Sequence, residues 1–342
     1  MFRTGRSGRF FRMALWASAV AFAAVVFNSY SRLSEAGLGC PDWPGCYGVL
    51  FAPATAQDVN RARSPEEMQK LEKKRAAQET TQRLLAGVLG LTLIRLFMLG
   101  WQLKKRKRSQ QVLIPLFTLG VVFSLSVAGF LTFEHRFRPL VQMMQLLGGM
   151  SVLALLWWIV MREQRLFRSV ADTPLARSLR PRALIALVLV SGQIALGGWS
   201  MVNYAGLACP DFPTCQSAWW PDMDFLQAFT LWRDLGLDYG GESLTLPGTT
   251  ALHMAHRVGA LMTVLYVGWL SLYLLRVGFQ DRLCRYGLLL LVMLLFAVAL
   301  GVMEVVAHLP IVLAVAHNAV AALLLMSVVT LYHVNRAPPR NA

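Results

Sequence analysis

The stretch AGLGCPDWPGC, residues Ala36 to Cys46, has a near copy in AGLACPDFPTC, residues Ala205 to Cys215. The copies start 169 residues apart in a chain of 342, so each half of the chain carries one. An apolar block of about twenty residues, long enough to cross a bilayer core as helix, precedes each copy, and another follows it. The doubled stretch therefore marks a doubled structural unit.

Composition agrees with a chain that lives in lipid. It is 56% hydrophobic and only 15% charged, with a mean hydropathy of +0.50, where soluble domains carry roughly 25% charged residues. Eight apolar blocks occur, near 13–31, 82–103, 111–133, 139–161, 183–204, 250–275, 286–306 and 311–333. A helix satisfies its own backbone hydrogen bonds in lipid, so the expected fold is an all-α integral membrane protein. Its eight transmembrane helices form two pseudo-symmetric four-helix bundles. Because four is even, the two units enter the membrane in the same sense, as a parallel tandem repeat. The expected division is an N-terminal half over 1–162 with an external loop 32–79, a cytoplasmic linker over 163–182, and a C-terminal half over 183–342 with an external loop 205–249.

The net charge of +15 could point to nucleic acid, so its placement matters. Arg3, Arg6, Arg9 and Arg12 precede the first block, Lys104 to Arg108 follow the second, and Arg276, Arg282 and Arg285 follow the sixth. The long loop after the fifth block has one basic residue before the next helix, Arg233. This positive-inside pattern puts both termini in the cytoplasm and the cysteine loops outside, in a bacterial inner membrane. No RNA- or DNA-binding motif accompanies the charge, and no nucleic-acid partner is expected. The first external loop mixes Arg61, Arg63, Lys70 and Lys73 with Asp58, Glu66 and Glu67, as a solvated helix leading into the second span would. Residues 1–30 have an alternative reading as a secretory signal. The run is long for one, and the fifth block holds the same place before the second copy, so an uncleaved helix is expected.

On the outer side disulfides persist, which favours the pairs Cys40–Cys46 and Cys209–Cys215. Zinc is the alternative, although the spacing is wider than the usual knuckle and no His lies in either loop. Cys284 is left over near the cytoplasmic face.

Ionisable residues inside spans are costly and mark candidate sites. The sixth block opens with LHMAHR, placing His253, His256 and Arg257 near its outer end, and the eighth contains AVAHNAV with His317. At about 1.5 Å per residue, His256 and His317 each fall roughly 10 Å below the expected helix starts. A depth-matched histidine pair on two helices of one bundle can ligate a haem iron from both sides, with Arg257 available for a propionate. Interhelical hydrogen bonding is the plainer alternative. The first half reads differently at the same places. His253-Met-Ala-His256-Arg257 becomes Glu79-Thr-Thr-Gln82-Arg83, and His317 becomes Gln145, so both ligand positions there are carboxamides. Glu79 could act as acid or base or could be an ordinary charged helix start. Glu304 within the seventh block has no assigned partner.

On the doubled AGLxCPD-aromatic-PxC loops, the HxxHR of the sixth block, His317 after Leu309-Pro310 in the eighth, and Glu79 with Arg83, the chain resembles the haem A synthase family of cytochrome oxidase assembly proteins. The resemblance runs over nearly the whole chain. It implies a b-type haem in the second half, its iron held by His256 and His317, with His253 and Arg257 beside it. It implies haem O as substrate in the first half, near Gln82, Arg83 and Gln145, with Glu79 at the catalytic position. The implied reaction oxidises a haem methyl group to a formyl group, and the implied partners are haem O synthase, oxidase-assembly factors and membrane lipid; a homo-oligomer is compatible with all of this. The family has His where this chain has Gln82 and Gln145. Two alternatives therefore stand beside a haem A synthase: a non-catalytic b-type haem protein in electron transfer or oxidase assembly, and a membrane thiol–quinone oxidoreductase.

Overall fold

The computed structural model describes residues 6–35, 65–103, 110–131, 138–163, 173–230, 244–277 and 283–336. Among them are eight long helices: α1 (Arg6–Glu35), α2 (Pro65–Leu103), α3 (Gln110–Leu131), α4 (Arg138–Glu163), α5 (Pro174–Val202), α6 (Leu246–Val277), α7 (Leu283–Val306) and α8 (Ile311–Val334). Seven are long and apolar enough to cross a membrane by length and composition. The apolar part of the eighth, Val112–Ala128 of α3, is shorter. The protein is an all-α, multi-pass membrane protein. The solvated helix expected before the second span is continuous with it: α2 runs unbroken for 39 residues, of which Thr80–Gln102 form the apolar span.

The helices pack as two rings of four. In the first, α1 meets α2, α2 meets α3, α3 meets α4 and α4 returns to α1; in the second, α5, α6, α7 and α8 close in the same way. The rings join through α1 and α4 of the first against α5 and α8 of the second. One tie across this seam is the Trp157 indole N–H, which donates to Thr330 Oγ1 at 2.8 Å. Lipid tails are as apolar as leucine, so helix association rests on close packing and on such bonds, each contributing about 0.6 kcal/mol.

The second ring is packed unevenly along its length. Away from the cysteine loop its centre is filled by Val267, Leu270 and Leu274 of α6, Leu290 and Leu294 of α7, and Ala322, Leu325 and Val328 of α8. Toward the loop α5 and α6 pack against the loop through Trp199, Ala205, Ala251 and Leu252, while α7 and α8 stop contributing. No residue of 311–321 in α8 and none of 295–304 in α7 is buried. A helix facing lipid on one side still buries its inner face when the bundle is full. Two or more turns without a buried residue therefore leave the inner face uncovered.

Candidate functional site

The uncovered end of the second ring is where the histidines are. α6 carries His256 and α8 carries His317, and these two helices stand at opposite corners of the ring, with α5 and α7 at the other two. Each imidazole lies edge-on against a glycine of a neighbouring helix. A Cβ at Gly197 of α5 would stand 2.8 Å from Cε1 of His256, and one at Gly301 of α7 would stand 3.1 Å from Cε1 of His317. Both glycines are thus sites where any side chain would press on an imidazole. In both cases Nδ1 is nearer the glycine than Nε2.

The expected matching depths need correction. α6 begins at Leu246, earlier than the apolar block suggested, so His256 lies about 15 Å along its helix, against about 9 Å for His317.

In the second ring, Nδ2 of Asn318, Oε1 of Gln193 and Oε1 of Glu304 are buried without a hydrogen-bond partner among the described residues. Buried polar groups are normally paired, so these atoms suit a ligand that supplies the missing polar contacts. The donor chemistry also suits iron, with two imidazoles on diagonal helices of a bundle. Among the described residues no group of three or more His, Cys, Asp or Glu is arranged to hold a bare metal ion. A macrocycle that brings its own four nitrogens needs only the two axial ligands.

His253 and Arg257 point to the cysteine loop. Nδ1 of His253 is 3.0 Å from the Ala205 carbonyl oxygen. The Arg257 guanidinium donates to the carbonyls of Thr214 and Asp211, both at 2.7 Å, and reaches those of Pro213 and Cys209 at 3.4 Å. It also lies 5.5 Å from the centre of the Phe212 ring. The HxxHR segment and the AGLACPDFPTC loop are thus one unit, in which His253 and Arg257 hold the loop over the end of the helix that carries His256. Within the loop, Cys209 and Cys215 form a disulfide, as expected. Asp211 closes the turn, accepting from the Thr214 hydroxyl and from the backbone N–H groups of Gln216 at 2.6 Å and Ser217 at 3.0 Å. The Thr214 hydroxyl, with these amides, holds its carboxyl below the usual carboxylate range. Removing the guanidinium as Arg257→Leu forfeits charge-assisted bonds worth about 2 kcal/mol. The Cys209–Cys215 disulfide should then be reduced by dithiothreitol roughly tenfold faster or more. An unchanged rate would mean that the loop holds itself.

The first ring is built differently at the equivalent place. Gln82 on α2 donates from Nε2 to Asn28 Oδ1 on α1 at 2.9 Å. Asn28 precedes Gly197 by 169 residues, the offset of the two cysteine loops. The site where the second half keeps a glycine beside an imidazole therefore holds an amide pair in the first. Gln145 is half-buried on α4. Arg83 is exposed on α2. Glu79 belongs to α2, just before its apolar span, and its side chain lies outside the described residues, as do Cys40 and Cys46. The sequence reading did not single out Asn28, Gln193, Gly197 or Gly301. For Asn28 and Gly197 the signal was available, since superposing the two cysteine loops puts them in register.

The remaining sites are plain. His333 packs edge-on against Trp158, with ring centres 4.7 Å apart, and Cys284 is a free thiol.

Comparison with known proteins gives the family. Residues 11–329 match the family model COX15-CtaA, described as cytochrome oxidase assembly protein. A relative named heme A synthase from Shewanella oneidensis is 36% identical over 307 residues, covering 90% of this chain and 91% of that protein. Another protein of the same name, from Methylobacterium nodulans, is 26% identical over 333 residues, covering 90% of this chain and 87% of that protein. The chain belongs to the COX15-CtaA family of cytochrome oxidase assembly proteins.

Proposed function

We propose that this protein is a haem A synthase: an inner-membrane oxidoreductase that converts the methyl group of haem O to the formyl group of haem A for terminal oxidases. The cysteine loops face the periplasm and both termini the cytoplasm. The halves, 1–162 and 183–342, divide the work, with haem O in the first and a haem b in the second. The observation that carries the reading is the diagonal pair His256 and His317, each against a glycine, at the unfilled end of the second ring.

In this reading His256 and His317 would hold the iron of haem b, which would supply one-electron transfer when bound. Gly197 and Gly301 keep the space beside the ligands clear. His253 and Arg257 seat the disulfide loop over the site and limit water entry. Arg257 still has a buried Nε without a partner, so one donor remains for a propionate. In the first half Glu79 holds or moves a proton at the substrate periphery, and Arg83 pairs with a substrate carboxylate. Gln82 and Gln145 line the cavity without ligating iron, because a carboxamide is a poor ligand for it.

The bond between Gln82 and Asn28 favours a second reading, in which the first half is closed by this amide pair and the protein is a non-catalytic b-type haem protein. Haem extraction and chromatography separate the two. The protein is made together with a haem O synthase in a host lacking its own haem A synthase. Haem A or its hydroxylated intermediate is the expected product. Haem B alone in a folded, fully loaded preparation would support the second reading.

A further inference from the structure

We infer that Gln193 on α5 is the positioning residue of His256, setting which imidazole nitrogen is left for iron. The inference rests on haem ligation by His256. Gln193 Nε2 lies 3.0 Å from His256 Nδ1 and 3.4 Å from its Nε2, and it donates to the His256 carbonyl oxygen at 3.0 Å. One carboxamide thus grips the ring and the backbone of the same residue. It engages the Nδ1 side, the side that also lies nearer Gly197, and Nε2 is the less constrained nitrogen. The Gln193 oxygen is buried with no partner.

The carboxamide nitrogen stands closer to Nδ1 than to Nε2, which leaves Nε2 as the nitrogen for iron. A ligand that binds iron through Nε2 must carry its proton on Nδ1 and donate it to an acceptor. The unpartnered oxygen of the same carboxamide is the acceptor at hand, and taking that proton would fix the tautomer and the ring orientation.

The tandem repeat gives an internal control. Position 193 corresponds, by the loop offset, to Ala24 of the first half, and Gly197 to Asn28. The half with the histidine has a carboxamide that reaches the ring and a glycine beside it. The half with Gln82 has alanine and asparagine at those places, and the asparagine is bonded to Gln82 itself. Gln193 goes with the imidazole, as a positioning residue should, and not with the helix frame that both halves share.

The test uses the full-length, haem-loaded protein in detergent and compares wild type with Gln193→Leu and Gln193→Glu. Loss of an outer-shell partner lowers metal affinity about 10- to 100-fold, so the leucine variant should release haem more readily on dilution by that factor. The glutamate variant accepts from Nδ1–H more strongly, makes the ligand more basic and stabilises ferric iron. Its midpoint potential should fall, and that of the leucine variant should rise, with matching changes in the ferric paramagnetic resonance spectrum. If the leucine variant does not fold, the fall in potential of the glutamate variant decides alone. Unchanged potentials and spectra in haem-loaded variants overturn the inference and leave the ligand assignment standing. A wild-type protein without haem overturns the ligand assignment and this inference with it.

Discussion

His256→Ala and His317→Ala should each remove the b-type haem, bringing the reduced-minus-oxidised absorbance of the purified protein to background while the chain remains folded. The ring of helices does not depend on either side chain. Its packed centre lies toward the other end, around Leu270, Leu290 and Val328, and neither histidine belongs to it. The loss should appear in both variants, because each removes one of the two residues that would hold the iron. A control comes from the first half. Gln82→Ala, which breaks the hydrogen bond with Asn28, should leave the absorbance intact. Haem retained at wild-type level in both histidine variants would remove the axial assignment. Loss in Gln82→Ala as well would mean that the halves are not separable.

Glu79→Ala should give the opposite result. Haem b should be retained with an unchanged spectrum, while haem A formation in cells that also make haem O falls about 10²- to 10⁴-fold, the usual range for losing a general acid or base. Glu79→Gln should fall as far, since it keeps the shape of the side chain and removes its ability to exchange a proton. Measuring haem b absorbance and extracted haem A in the same membranes separates the two halves. Wild-type haem A output from Glu79→Ala would end the catalytic assignment of this residue. Equal loss of haem A and haem b would point to folding.

The sequence already contained the fold class, and in particular residues. Blocks of about twenty apolar residues admit few backbone solutions in lipid, because unpaired N–H and C=O groups are too costly there. The repeated CPD loop fixed the tandem, since two copies of one loop at a constant offset require the same frame twice. The Cys209–Cys215 pair was legible for a similar local reason: six residues of separation bring the two sulfurs within reach. His256 and His317 were legible as candidates because an imidazole in a span is rarely there without a partner.

What the sequence left open are the relations across the bundle. Whether Arg257 serves a propionate or the loop could not be read from its place beside His256; the structure gives its donors to four loop carbonyls. The distance from the helix start was misjudged for His256, because the start of a helix is set by local loop chemistry and α6 begins at Leu246, before the apolar block. Composition and the repeated loop together determined that this chain is a membrane bundle built twice. Only the tertiary structure decided that α6 and α8 are diagonal, that Gly197 and Gly301 face the imidazoles, and that Gln193 grips His256. Those facts depend on side chains from helices distant in sequence, and hydrophobic periodicity carries no information about which of them will touch.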